Sequence, residues 1–550
     1  MLIVGDISGI QDYLFDISGR GGGQSRRLRA RSFYLQALTE CAALRVMHAA
    51  GWSTDSILLT AAGRFILSGD ALTATGSDDV SRVALNIERW LLDHLGGRVR
   101  LAMEISTGNA DIPAMYDYAL RGVQRRKYRS WSGIAQVDGA WNPSQLVLPP
   151  LDTPCSICGR EPSRHTQRDA DDDTEYRIGE RCRDDFELGK RLPNARWMEV
   201  RENPGPESME IVGAHIILHF DFPTATGPET LAVLSLRDEI PPAGTLSPVL
   251  THRLARHIPQ DRGRPLDFKE IAGKARGDSL LAVLKMDVDH LGKYIGEGLA
   301  RERSLEWLGR TSRKLDRFFA ETLDRELTKP PWDMIYTVFS GGDDLILIGP
   351  WDVMLNYAGH VHDHLSKTFE AEKLTISAGA AFFKSHSPVL HAVHQASDAL
   401  ALAKESGRNR CAALGEVLEW PELNHALSTG TRLADWVDAR AMNRGWLHTM
   451  LKLCTERRDA WLSVPEGLDT VKARSLRLKR QRGMLASSRL DYHIIRNYPK
   501  PNDRDGTKVE VRRWADAVLN EFDDWDRNDI RVLPAALRYA LTATRGEDKD

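Results

Sequence analysis

Long apolar runs are missing from this sequence, and none of the stretches present is long enough to span a bilayer as a helix. Cysteine is scarce: six in 550 residues cannot make a disulfide framework. An excess of either charge is missing too. With 74 Lys and Arg against 77 Asp and Glu, the formal net charge is -3, which argues against a strongly basic nucleic-acid binder taken whole. The opening residues, Met1 to Asp6, lack the basic segment and extended apolar core of a secretory signal. These absences lead us to expect a soluble, cytoplasmic protein with no membrane partner. The length leads us to expect three or four domains, each with a real core.

What is present centres on Thr337 to Gly349, where two apolar runs meet at Gly341-Gly342-Asp343-Asp344. The glycines suit a tight hairpin, and the flanking Val338, Phe339 and Leu345 to Ile348 read as buried strands. Two adjacent carboxylates at a sheet edge repel each other unless a cation compensates, and magnesium takes oxygen ligands while leaving positions for phosphates. A polar turn in solvent is the plain alternative. Upstream, Leu281 to Asp289 reads as a strand ending in Asp287 and Asp289, whose spacing of two puts both on one face. A strand ending in carboxylates, a long helix and a carboxylate-tipped hairpin is how a two-metal nucleotidyl-transfer site is assembled. Downstream, Lys404 and Arg408 at a helix end are expected to share a face and neutralise phosphates.

The Asp287-Val288-Asp289 strand, the Gly-Gly-Asp-Asp hairpin and the Ala403-Lys404 to Gly407-Arg408-Asn409 helix end resemble the active palm of the large polymerase-like subunit of type III CRISPR effector complexes. Gly5-Asp6-Ile7-Ser8-Gly9-Ile10-Gln11 and Arg29-Ala30-Arg31-Ser32-Phe33-Tyr34-Leu35 resemble that family's first palm, and Phe268 to Ala272 resembles the approach to the second. The resemblance implies an enzyme, a nucleotidyltransferase that joins ATP 3′ to 5′ into cyclic oligoadenylate messengers for antiviral defence. Asp287, Asp343 and Asp344 would be its catalytic residues, binding magnesium or manganese, with Asp289 a weaker ligand. It also implies partner subunits, and guide and target RNA reached through the complex. Because the palm pattern begins at residue 2, the expected form lacks the N-terminal histidine-aspartate nuclease domain, and no DNase activity is expected.

In chain order the pattern reads strand 2–7, helix 26–49 after the glycine-rich loop 19–23, strands 56–60 and 64–68, helix 80–95 and strand 99–105. The second half repeats it: strand 280–287, helix 301–327, strands 333–339 and 345–349, helix 351–370, strand 374–382. The fold class expected is α+β, with two ferredoxin-like βαββαβ palms, a small zinc-binding insert and a C-terminal α-helical domain. The domains are a first palm at 1–150, a zinc-knuckle and connecting domain at 151–278, the active palm at 279–419 and the helical domain at 420–550. Asp6 to Ala62 and Asp287 to Asp343 are both 56 positions apart, so Ala62 and Gly63 stand where the active palm has its hairpin carboxylates. The first palm is therefore expected to hold no metal pair. It could bind a nucleotide through Asp6, Ser8, Gly9 and Gly63, or serve only as scaffold. In the second palm, Ser340, Gly341, Gly342, Lys404 and Arg408 complete the nucleotide-binding set, with Ser340 reading a base edge.

Cys155-Ser-Ile-Cys158 opens a zinc knuckle, with Cys182 24 positions on. The family has four cysteines here, so His165 or Asp185 is the expected fourth ligand of a structural zinc. The acidic stretch Asp169 to Glu175 reads as a solvated loop. The basic runs Arg26 to Arg31, Arg121 to Arg129 and Lys472 to Arg482 are open between solvated helix faces and RNA contacts; for the last, a partner subunit is also possible. His360-Val-His362-Asp-His364 lies in a helix where His362 points away from the other two, so it reads as surface. From Trp420 onward the pattern is helical, interrupted at Asn497 to Asp505, and by resemblance this part packs on a small partner subunit. A diguanylate cyclase, a non-catalytic RNA-binding scaffold and a templated polymerase are the rival readings.

Overall fold

The computed structural model describes residues 1–17, 23–61, 63–107, 111–137, 140–147, 150–168, 174–223, 227–237, 240–242, 249–251, 257–461, 481, 483, 485–498, 506–522, 524 and 528–546. Most of the glycine-rich loop, Ala62, the acidic stretch 169–173, the basic segment from Lys472 to Arg480 with Arg482, and the interruption at 499–505 lie outside the described residues. The chain divides into two compact units. One holds Met1–Lys269, His290–Leu347 and His386–Val393; the other holds Glu270–Asp289, Ile348–Ser385 and His394–Asp550. The class is α+β, with largely antiparallel sheets.

In the first unit, β1 (Leu2–Ser8), β2 (Ile57–Ala61), β3 (Arg64–Ser68) and β4 (Arg100–Ser106) form a sheet in the order β2-β3-β1-β4. β1 is central and antiparallel to both neighbours, with Leu2 opposite Ser68 on one side and Ser106 on the other. Its β-branched and aliphatic residues are buried throughout, as a central strand demands. Leu2, Val4, Ile66 and Ala102 join Met115, Ala119 and Val123 of helix Ile112–Lys127, and Leu299 and Leu308 of the helices Leu291–Glu302 and Leu305–Asp316, in one core cluster. Helix Gln24–Ala49 stops at Gly51, whose positive φ of 67° lets Trp52 N–H donate back to the Met47 carbonyl at 3.1 Å. Helix Ala74–Leu95 starts on Thr73, whose side chain accepts from Gly76 N, and ends at Gly96 with φ 59°.

The connecting region of this unit carries a five-stranded sheet. Its order is Met209–Ile211, Ala214–His219, Trp197–Arg201, Thr230–Ser235 and Val249–Thr251. Ahead of it, the hairpin His165–Arg168 and Glu175–Ile178 leads into helix Glu180–Arg191.

Further along the chain come β5 (Leu280–Val288), β6 (Tyr336–Gly341), β7 (Asp344–Pro350), β8 (Ile376–Lys384), β9 (Arg410–Ala413) and β10 (Glu416–Glu419); within the second unit the sheet order is β5-β8-β9-β10. In the second unit, β5 pairs antiparallel with β8 from Leu280 opposite Lys384 to Val288 opposite Ile376. β8 runs parallel to β9, and β9 turns back into β10. The helical pattern expected over 301–327 is divided: after Leu291–Glu302 and Leu305–Asp316 come a π-helical stretch at Arg317–Thr322 and the short helix Leu323–Leu327. Beyond β10 the described residues are helical, in Trp420–Asp438, Arg444–Trp461, Ala486–Asn497, Gly506–Glu521 and Asn528–Ala543. Arg458 and Arg538 from these helices converge on Glu416 of β10 at 2.9 and 2.7 Å, which fastens the helical part to the sheet end.

Candidate active site and metal centres

The hairpin tip forms as the sequence demands. β6 is buried along its whole length, Gly342 adopts φ 66°, and Asp343 and Asp344 emerge half-buried where β7 begins. Ser340 does not face a base: it is buried, and its hydroxyl donates to the Phe319 carbonyl at 2.8 Å. The hydroxyl thus ties β6 to the π-helical stretch.

In the second unit the two carboxylates that share the end of β5 have different environments. Asp287 is half-buried and forms an ion pair with Lys404 Nζ. Asp289 is 3% exposed and accepts three hydrogen bonds, from Ser377 Oγ at 2.7 Å, Thr375 Oγ1 at 2.8 Å and Asn409 N at 3.0 Å. Both of its oxygens are engaged, so Asp289 acts here as a clamp on the chain reversal after Glu405 rather than as an open ligand. That reversal runs through Gly407, Arg408 and Asn409 with φ of 122°, 65° and 49°. Helix Val389–Glu405 has ended by then, so Arg408 does not share a helix face with Lys404 as the four-residue spacing suggested. Positive φ at two successive non-glycine residues is uncommon, and the Asp289 bond to Asn409 N is one contact that holds it. Asp287, Asp343 and Asp344 supply half-exposed oxygen donors of the kind magnesium takes.

At the N-terminal sheet, Asp6 is held between two cations, Lys127 Nζ at 2.6 Å and Arg64 Nη2 at 2.9 Å. The cations stand where a metal-bearing palm would need metal. Lys127, from the basic run 121–129, is thereby engaged within the protein, as are Arg126 on Glu104 at 2.9 Å and Arg121 on Asp117 at 2.8 Å. Arg64 also feels the charge of Asp343. Ser8 is half-buried at the end of β1. Gly9 and Gly63 have φ of 83° and 80°, but protein fills the space that their missing side chains leave. A Cβ on Gly9 would lie 1.9 Å from the Arg98 carbonyl oxygen, and one on Gly63 2.3 Å from Ile10 Cδ1. These glycines serve the chain's own packing, not the approach of a ligand.

The cysteines do converge. The ligand atoms of Cys155, Cys158, Glu161 and Cys182 all lie within 4.8 Å of one another, a set of three thiols and a carboxylate that fits four-coordinate zinc. The fourth member is Glu161, not the expected His165 or Asp185. Ring Nε2 of His165 is bonded to Arg183 at 3.0 Å, and Asp185 is paired with Arg31 Nε at 2.9 Å. Gly179 makes room for Glu161, since a Cβ there would meet its Cδ at 2.1 Å. Hydrogen bonds from Cys158 and Cys182 pull the Cys155 thiol down, and the same bonds push Cys158 up to about 11 and Cys182 higher still.

The run Arg26 to Arg31 is neither a solvated face nor an RNA contact in this structure, Arg26 excepted. Arg27 and Arg31 are 0% exposed. Arg27 Nε donates to the Cys182 carbonyl at 3.2 Å, and Arg31 reaches Asp185, the carbonyls of Tyr13 and Asp16, and Cys182 Sγ. Burial alone would lower the Arg31 pKa, but Asp185 more than offsets it and the guanidinium is held firmly charged. The run therefore anchors the cysteine cluster to helix Gln24–Ala49. His360 and His364 do share a face, with ring centroids 6.1 Å apart, while His362 stacks on Trp420 at 4.6 Å and is not surface.

With this geometry in hand, comparison with known proteins is specific. Residues 280–412 match the second palm domain of Cas10/Cmr2, and residues 1–126 match domain B of the Csm1 subunit. The chain belongs to the Cas10/Csm1 family of type III CRISPR systems. Among Cas10/Csm1 relatives it is 24% identical over 442 residues to the subtype III-A single-strand-specific deoxyribonuclease Cas10/Csm1 of Thermococcus onnurineus, covering 76% of this chain and 55% of that one. The Mycobacterium tuberculosis protein of the same name is 23% identical over 521 residues, 84% of this chain and 60% of that one. The chain thus spans little more than half the length of these curated relatives. Among solved structures, the Csm1-Csm4 subcomplex of the type III-A CRISPR-Csm interference complex superposes with a TM-score of 0.67 at 17% identity, over 99% of this chain and 70% of that one. A Csm1-Csm4 cassette in complex with one ATP gives 0.65 at 19% identity, over 97% and 69%. The cassette in complex with cA4 gives 0.65 at 17%, over 99% and 70%. At these identities the likeness establishes a shared Cas10/Csm1 fold.

Proposed function

We propose that this chain is the magnesium-dependent nucleotidyltransferase of a cytoplasmic type III CRISPR RNA-guided effector, converting ATP into cyclic oligoadenylate second messengers. The observation that carries the reading is the carboxylate pattern, Asp287 ending one strand and Asp343-Asp344 tipping a hairpin, inside the stretch that matches a Cas10 palm. Solved relatives bound to ATP and to cA4 support the substrate and product class. In this reading the chain carries two ferredoxin-like palms, at 1–150 and 279–419, joined by a zinc-bearing connecting domain at 151–278 and followed by a helical domain at 420–550.

Asp287, Asp343 and Asp344 would hold the magnesium ions, which when bound lower the charge barrier between the nucleotide phosphates and the attacking hydroxyl. A ribose 3′ oxygen bonds to the α-phosphorus of a second ATP, the bond from that phosphorus to pyrophosphate breaks, and the hydroxyl proton is released. Lys404, paired with Asp287, and Arg408, in the clamped reversal, would neutralise the triphosphate. Asp289 is a positioning residue that fixes this reversal. The first palm, its Asp6 neutralised by Lys127 and Arg64, would carry no metal pair. The partner subunits would include a Csm4-like protein, as in the solved cassettes, with guide and target RNA reached through the assembled complex.

The test is to incubate the assembled, RNA-loaded complex with magnesium and each nucleoside triphosphate in turn and to identify products by mass. Cyclic adenylates formed only with target RNA support the reading. Cyclic diguanylate from GTP would reassign the site, and RNA binding with no nucleotide product would leave a scaffold.

A further inference from the structure

One charged residue lies inside the sheet of the second unit. Residues 281–286 of β5 are all buried, and Lys285, 8% exposed, is the only charged residue among them. It shares a strand face with Asp287, two positions on. Lys285 stands opposite Gly379 of β8, and helix Val389–Glu405, whose part from His394 onward belongs to this unit, rests directly on that glycine. A Cβ on Gly379 would lie 2.3 Å from both the Ala396 carbonyl oxygen and Leu400 N. The Lys285 ammonium reaches the same helix and donates to Ser397 Oγ at 3.3 Å. Two turns beyond Ser397 on that helix stands Lys404, which pairs with Asp287. Strand and helix are thus joined twice on one face, first by a lysine of the strand and then by a lysine of the helix.

Packing alone does not call for a lysine at position 285. A methionine has a similar length and fills such a space without the penalty of a buried charge. What the ammonium adds is direction, because apolar contacts let a helix slide or turn on a sheet and a hydrogen bond does not. A slip of one residue would swing Lys404 by about 100° away from Asp287. Just beyond the helix, Asn409 N donates to Asp289 at 3.0 Å, so Lys404 lies between an anchor at Ser397 and another at Asn409. We propose that Lys285 is a positioning residue: through Ser397 it fixes the register of the helix on β5, and with it the reach of Lys404 to the phosphates of a bound nucleoside triphosphate. The inference rests on the nucleotidyl-transfer reading and deepens it, since it names the contact that aims the phosphate-binding lysine.

The test is calorimetric titration of the full chain with AMPPNP, a non-hydrolysable ATP analogue, in the presence of magnesium. The double variant Lys285→Met, Ser397→Ala replaces both partners of the bond by apolar groups, so thermal unfolding should stay near the wild-type temperature while nucleotide binding weakens about tenfold. Lys404→Met should weaken binding to a similar degree. Adding the double substitution to Lys404→Met should weaken it little further, because both act through one contact. Ser397→Thr, which keeps the hydroxyl, should bind as the wild type does. If the wild type binds no nucleotide, the nucleotidyl-transfer reading fails and this inference with it. If the wild type binds and the double variant binds equally well, the inference alone fails. It fails too if the two effects add in full, or if binding weakens only together with a loss of stability.

Discussion

Asp287 and Asp289 look equivalent in sequence, two carboxylates on one face of a strand end, yet one is held by a single lysine and the other by three donors. The difference predicts opposite phenotypes. Asp289→Ala leaves three donors unmet in a buried place and should destabilise its unit by about 3 kcal/mol, read by denaturant titration. Asp287→Ala should change stability by less than about 1 kcal/mol while removing turnover. Equal stability losses would refute the division of roles. Sequence spacing places both carboxylates but cannot show which is satisfied, because Thr375, Ser377 and Asn409 reach Asp289 from about 90 to 120 positions away. Glu161, the fourth group of the cysteine cluster, lies outside the sequence expectation although it is a near neighbour along the chain. Its place three residues after Cys158 was the available signal.

Among the elements, helix Gln24–Ala49 departs most from what its sequence suggests. A run of four arginines reads as a solvated face by default, since charge in one dimension says nothing of what packs on it. The cysteine-cluster region covers that face and turns the arginines into buried anchors. Arg31→Ala should therefore cost about 3–5 kcal/mol by stranding Asp185, whereas Arg26→Ala, on the exposed side, should cost under about 0.5 kcal/mol. The cluster they hold should bind zinc: elemental analysis is expected to find it in the wild type and in His165→Ala, and to find it lost in Cys182→Ser. Retention by Cys182→Ser or loss in His165→Ala would contradict the assignment. Helix Ala74–Leu95 carries a pH-sensitive group. Burial pushes the Glu88 carboxyl up to about 7, with Arg126 opposing. Its folded pKa thus lies above the unfolded value, so its stabilising contribution is full below about pH 4.5 and disappears as pH rises through about 7. Glu88→Gln should flatten that loss, and thermal unfolding across this range should show the wild type falling relative to the variant. Parallel curves would mean that Glu88 titrates normally.

At the scale of the whole molecule, the periodic elements were the legible part. The strands at 64–68 and 280–288 and the helix from 351 lie within a residue or so of their sequence expectation, because buried β-branched runs and glycine-marked turns declare themselves locally. The π-helical stretch at Arg317–Thr322 was not legible, since nothing in the helical pattern marks it. What the glycines Gly9 and Gly63 make room for was not legible either, being set by Arg98 and Ile10. The hairpin was legible where its signal is concentrated in a motif, at Gly341 to Asp344, and what depends on distant partners was not. The two family matches, to domain B of Csm1 at 1–126 and to the second palm of Cas10/Cmr2 at 280–412, mark both parts of the chain as Cas10/Csm1 parts.

The central claim is that Asp343 and Asp344 carry nucleotidyl transfer. Its most direct measurement compares the RNA-activated complex built on the wild-type chain with one built on the Asp343→Ala, Asp344→Ala double variant, following release of pyrophosphate from ATP with magnesium. Release should fall by at least about a thousandfold in the double variant, with RNA binding retained. Equal release from both complexes would contradict the account.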